Sequence, residues 1–129
     1  MKIINKISIL LFHITNLVLI VLYLYPGSIL GCLLNNDCLI QPQIIINPTI
    51  SINHLFAFIF LTSLGIFAYR NSKKIKFLIT YLFLISIILE LLHIIIPVRA
   101  FELADLIGNT LGVTLISIIY KIRCKYAQS

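Results

Sequence analysis

Four apolar runs, each about as long as a bilayer is thick, dictate what this chain can become. They are Ile7–Tyr25, Pro48–Arg70, Lys76–Ile96 and Phe101–Ile122. At 1.5 Å per residue, a run of about 19 residues reaches roughly 29 Å, close to the hydrocarbon thickness of a membrane. None alternates apolar and polar residues as a half-buried strand does, and all are too long for strands. They predict an all-α, polytopic membrane protein of four transmembrane helices, in one domain over residues 1–129. Composition agrees: the chain is 60% hydrophobic and only 11% charged, against about 25% charged in soluble domains.

The formal net charge of +6 would suit nucleic acid, but no soluble basic domain with interleaved aromatics is present. The charge instead sets topology. Lys2 and Lys6 flank the first run, Arg70, Lys73, Lys74 and Lys76 separate the second from the third, and Lys121, Arg123 and Lys125 close the fourth. With four spans all three groups fall on one side, which the positive-inside rule makes the cytoplasm, so both termini are expected inside. Asp37, Glu90, Glu102 and Asp105 fall toward the other side, with Arg99 as the one basic residue there. The expected location is the cytoplasmic (inner) membrane of a bacterium, since the heavy use of Ile, Asn and Lys fits an AT-rich genome.

The first run is long for a signal-peptide core and lacks an A-x-A site. A rival reading takes Ile29-Leu30-Gly31-Cys32 as a loose lipobox, with Cys32 lipidated. Within the first run, Asn16 is expected to hydrogen-bond a neighbouring helix. Residues 26–49 read as a loop, apolar enough to lie partly in the interface. Cys32 and Cys38 share that loop on the oxidising side, where they form a disulfide or stay as two thiols. Cys124 is cytoplasmic and inert, and three cysteines without a Cys-x-x-Cys pair make no zinc motif. Asn47-Pro48 is expected to open the second span as cap and first helical residue, and Pro97 to stop the third.

Topology gathers the intramembrane polar residues at one depth. His54 lies just inside the start of the second span, and Glu90 about two turns, or roughly 10 Å, before Pro97. Asp105 and Asn109 occupy the first turns of the fourth. Glu90 and His93, at i and i+3, share a face, as do Asp105, Asn109 and Gly112 at i, i+4 and i+7. Gly108 and Gly112 form a small-xxx-small pair that lets another helix approach. Charge in a membrane segment is expensive and marks function by default. Arg99 is the expected counter-charge for Glu90 or Asp105. The candidate ligand-binding residues are His54, Glu90, His93, Arg99, Asp105, Asn109 and Gly112.

These residues resemble the VanZ-like family, small membrane proteins of the teicoplanin-resistance type. The resemblance is carried by Asn53-His54-Leu55-Phe56-Ala57-Phe58, Glu90-Leu91-Leu92-His93, Pro97-x-Arg99, Asp105 and Asn109-Thr110-Leu111-Gly112. Tyr25-Pro26 after the first span also fits, and the likeness covers about residues 20–120. Two positions depart: Ile50-Ser51 stand where the family usually has Asp-Lys, and His93 where it has Gln. The resemblance implies a VanZ-like membrane domain that lowers glycopeptide susceptibility.

The residues favour a polar pocket near the outer leaflet that binds a membrane lipid headgroup or an amphiphilic small molecule, with no nucleic acid partner. A second reading is a membrane-embedded acid–base enzyme on a lipid-linked envelope substrate, with Glu90, His54 and His93 as acid or base. No nucleophile motif, P-loop or His-Glu-x-x-His is present to specify it. A third is a small assembly partner of an envelope complex. His54, Glu90, His93 and Asp105 are of metal-ligand type, but without a dense motif no metal and no cofactor is assigned.

Overall fold

The computed structural model describes residues 2–45 and 49–127. Five helices follow one another: α1 (Lys2–Leu24), α2 (Ile29–Asn35), α3 (Ile52–Tyr69), α4 (Ile75–Leu92) and α5 (Leu103–Tyr126). No strand occurs among the described residues. Helices α1, α3, α4 and α5 are long and apolar enough to cross a membrane.

The expected helix limits need correction at both ends of the polar layer. The second span begins at Ile52, not Pro48. Ser51 is its extended N-cap, and the Ser51 N–H is drawn away to the carbonyl of Ala104 at 3.0 Å. Asn47 and Pro48, expected to open it, lie outside the described residues. The third span ends at Leu92, not Ile96. Beyond it, His93, Ile94 and Ile95 donate to the carbonyls of Glu90, Leu91 and Leu92, an i→i−3 pattern that tightens and ends a helix. Pro97 then disfavours the α conformation in the residue before it. Helix α1 starts earlier than expected, at Lys2, and α5 runs on to Tyr126.

The segment read as a loop contains α2. Ser28 caps it by accepting the Gly31 N–H at 2.9 Å, and Asn36 ends it in the left-handed region at φ 53°. Cys32 and Cys38 are bonded to each other, and the Ser28 N–H donates to the Cys38 carbonyl at 2.7 Å. Asn53 of α3 anchors the following stretch from both sides. Its Nδ2 donates to the Pro42 carbonyl at 2.6 Å, and its Oδ1 accepts the Ile44 N–H at 2.9 Å.

Helix α3 is central and packs on α1, α4 and α5. In lipid, apolar side chains gain little by leaving the solvent, so close approach and hydrogen bonds hold helices together. Glycines supply the approach. A Cβ on Gly112 would lie 2.8 Å from the Leu55 carbonyl oxygen, and one on Gly108 2.5 Å from that of Ser51. On α3, Gly65 seats the ring of Phe12 from α1, which a Cβ would meet at 2.8 Å. Hydrogen bonds supply the rest: Asn16 Nδ2 of α1 donates to the Tyr81 hydroxyl of α4 at 2.6 Å. Large apolar side chains such as Ile3, Leu17, Phe60, Phe77 and Leu115 face outward, while Thr62, Ser86, Glu90 and Asn109 are fully buried. That inversion is expected where lipid is the solvent.

Candidate functional site

The polar layer forms where the ends of α1 and α4 meet the starts of α3 and α5. Glu90 is its most buried charged group, at 0% exposure. Its Oε1 accepts the backbone N–H of Glu102, the N-cap residue of α5, at 3.0 Å, and meets His93 Nδ1 at 3.3 Å. A carboxylate from α4 thus serves the start of α5, where the helix dipole favours negative charge.

His93 has both ring nitrogens engaged. Nε2 lies 3.1 Å from the Tyr23 carbonyl oxygen. A carbonyl only accepts, so Nε2 carries the proton. The contact at Nδ1 then requires a second proton, on the ring or on Glu90.

Tyr23, not Tyr25, is the hub of the layer. Its hydroxyl donates to Asn109 Oδ1 at 2.6 Å, and Asn109 Nδ2 donates to the Ser86 carbonyl at 3.3 Å. Its ring stacks on His93 with centroids 5.8 Å apart and lies 4.9 Å from that of His54. One signal could have found it: Phe12, Leu19 and Tyr23 are spaced to share one face of α1, and all three are buried.

Arg99 does not make the expected ion pair. Its Nε, Nη1 and Nη2 donate to the Tyr25 carbonyl, Gln41 Oε1 and the Leu22 carbonyl, at 3.3, 3.2 and 3.1 Å. The last-turn carbonyls of α1 have no intrahelical partners, and a guanidinium fork suits them. Val98, at φ 65°, turns the chain immediately before Arg99, a strained conformation for a β-branched residue. Partial burial depresses the Arg99 pKa, while the charges of Asp105 and Glu90 act to raise it. The carboxylates are instead met by histidines: His54 Nδ1 lies 3.6 Å from Asp105 Oδ2, and His93 Nδ1 meets Glu90.

A cavity of about 250 Å³ opens beside this layer, between α1, α3 and the α2 segment. Val18, Leu19, Leu22, Ala57 and Phe60 make an apolar wall, and Tyr23, Gln41, Asn53, His54, His93 and Arg99 form a polar end. Of the sequence-derived candidates, His54, His93 and Arg99 line it. Glu90, Asp105 and Asn109 do not line it, and Gly112 serves the α3–α5 contact.

A family model described as VanZ/LLP1 matches residues 4–124. No curated protein and no solved structure matches the chain.

Proposed function

The chain belongs to the VanZ/LLP1 family, and on that premise we propose that it binds the headgroup and upper acyl chain of a membrane amphiphile. The observation that carries this reading is the two-faced cavity. Its apolar wall suits a chain and its polar end suits a headgroup. Arg99 at that end is held by three neutral acceptors, so its charge has no direct carboxylate contact and suits an anionic headgroup. The basic segments argue for both termini in the cytoplasm of a bacterium, an orientation that would bring the cavity to the outer leaflet. There it would meet envelope lipids and lipidated glycopeptides such as teicoplanin, and lowered susceptibility would follow from holding either.

Native mass spectrometry of the purified protein is the test. A retained anionic lipid, lost in Arg99→Gln while the melting temperature stays within a few degrees, supports the reading. Equal retention by wild type and Arg99→Gln contradicts it. Expression of the wild type, but not of Arg99→Gln, should lower susceptibility to teicoplanin if the resistance role holds.

A further inference from the structure

The geometry points to a divalent-metal site made by His54, Glu90 and Asp105, beside the polar end of the cavity. These residues come from α3, α4 and α5, and each offers one ligand atom within 4.8 Å of the others. Among the described residues, two buried polar atoms of the group have no hydrogen-bond partner: Glu90 Oε2, on a fully buried residue, and His54 Nδ1, on one 6% exposed. Protonation does not resolve either. A proton on Oε2 finds no acceptor, and His54 Nδ1 lies 3.6 Å from Asp105 Oδ2, beyond hydrogen-bonding reach. For that one pair the distance is close to the ligand–ligand edge of a tetrahedral zinc site, about 3.4 Å for bonds near 2.1 Å. A cation held by one ligand atom from each residue would satisfy both orphaned atoms at once.

The surroundings are those of a metal site. Ligating carboxylates are normally oriented by outer hydrogen bonds. Glu90 Oε1 is held by the Glu102 N–H and by His93, which leaves Oε2 free. Asp105 receives a side-chain hydrogen bond from Ser51. The Asp105 side chain is 14% exposed, which provides a way in. One imidazole with two carboxylates suits a first-row divalent ion such as Zn²⁺ or Mn²⁺, and three protein ligands leave a coordination position open. Calcium, which takes six to eight oxygens, does not fit. His93 is no ligand here, since both of its nitrogens are engaged. The site stands whether or not the cavity holds a lipid.

The test uses the full chain in detergent, stripped with a chelator and reloaded with Zn²⁺ or Mn²⁺ alone. Elemental analysis should give about one metal per chain, and reloading should raise the melting temperature. Co²⁺ in its place should give visible d–d bands. Asp105→Asn and Glu90→Gln, which keep side-chain shape, should lose the metal and the thermal shift. His93→Gln, which only loosens the orientation of Glu90, should weaken binding by about 10–100-fold. His13→Ala on α1, outside the site, should bind as wild type does. Background metal in the reloaded wild type would mean that water fills the gap, and the proposal would be overturned. Equal loading of wild type and Asp105→Asn would overturn it too, as would tighter binding of Ca²⁺ than of Zn²⁺.

Discussion

The Tyr23 hydroxyl donates to Asn109 Oδ1 at 2.6 Å, a bond that closes the last turn of α1 onto α5 inside the bundle. Neither helix packs extensively on the other elsewhere, because α3 stands between them. Tyr23→Phe leaves the buried Asn109 oxygen unpartnered, a loss of about 1–3 kcal/mol. Thermal melts in detergent should show it, and Asn109→Leu in the Tyr23→Phe background should recover part of it. A Tyr23→Phe protein that melts with wild type would mean the bond contributes nothing.

Gly108 and Gly112 set how closely α5 approaches α3. A Cβ at either position meets backbone rather than a movable side chain, the Ser51 oxygen at 2.5 Å and the Leu55 oxygen at 2.8 Å. Gly108→Ala and Gly112→Ala should each destabilise by about 1–3 kcal/mol, the range for overpacking. Gly65→Ala should be milder, since its Cβ meets the Phe12 ring, which can turn. Unfolding by denaturant would rank the three.

Arg99 and Asp105 should be coupled less strongly than His54 and Asp105. The guanidinium donates to Leu22, Tyr25 and Gln41, while His54 Nδ1 approaches the carboxylate to 3.6 Å. Two double-mutant cycles built on Asp105→Asn decide it, one with Arg99→Gln and one with His54→Gln. The Arg99 cycle should be additive to about 0.5 kcal/mol, as for residues without contact. A larger interaction energy there than in the His54 cycle would restore the direct ion pair.

The basic segments predict that both termini are cytoplasmic. A reporter fused at Ser129 should be active inside, and one inserted near Asn36 outside. An impermeant thiol reagent on intact cells should label Cys32 and Cys38 only after reduction, because the two are bonded, and should leave Cys124 unlabelled. Labelling of Cys124 would reverse the orientation and move the cavity to the inner leaflet, whereas both reporters on one side would break the four-span topology itself.

Hydropathy and spacing by themselves determined the four long helices, since a backbone in lipid must satisfy its own hydrogen bonds. Alternating direction then brought His54, Glu90, His93, Asp105 and Asn109 to one end of the bundle, because depth follows from position along a helix of known rise. The closeness of α3 and α5 was also readable, as Gly108 and Gly112 have no side chain to hold helices apart. Partnership was not readable, because depth does not say how each helix is rotated about its axis. Only the tertiary structure turned Tyr23 inward as the hub and seated Phe12 on Gly65. It ended α4 a turn early, which let Glu102 donate to Glu90, and it sent Arg99 to the carbonyls of α1 rather than to a carboxylate. With Arg99 drawn away, Glu90 Oε2 and His54 Nδ1 are left buried and unpartnered beside Asp105, an arrangement that depends on three separate helices and is written in no one of them.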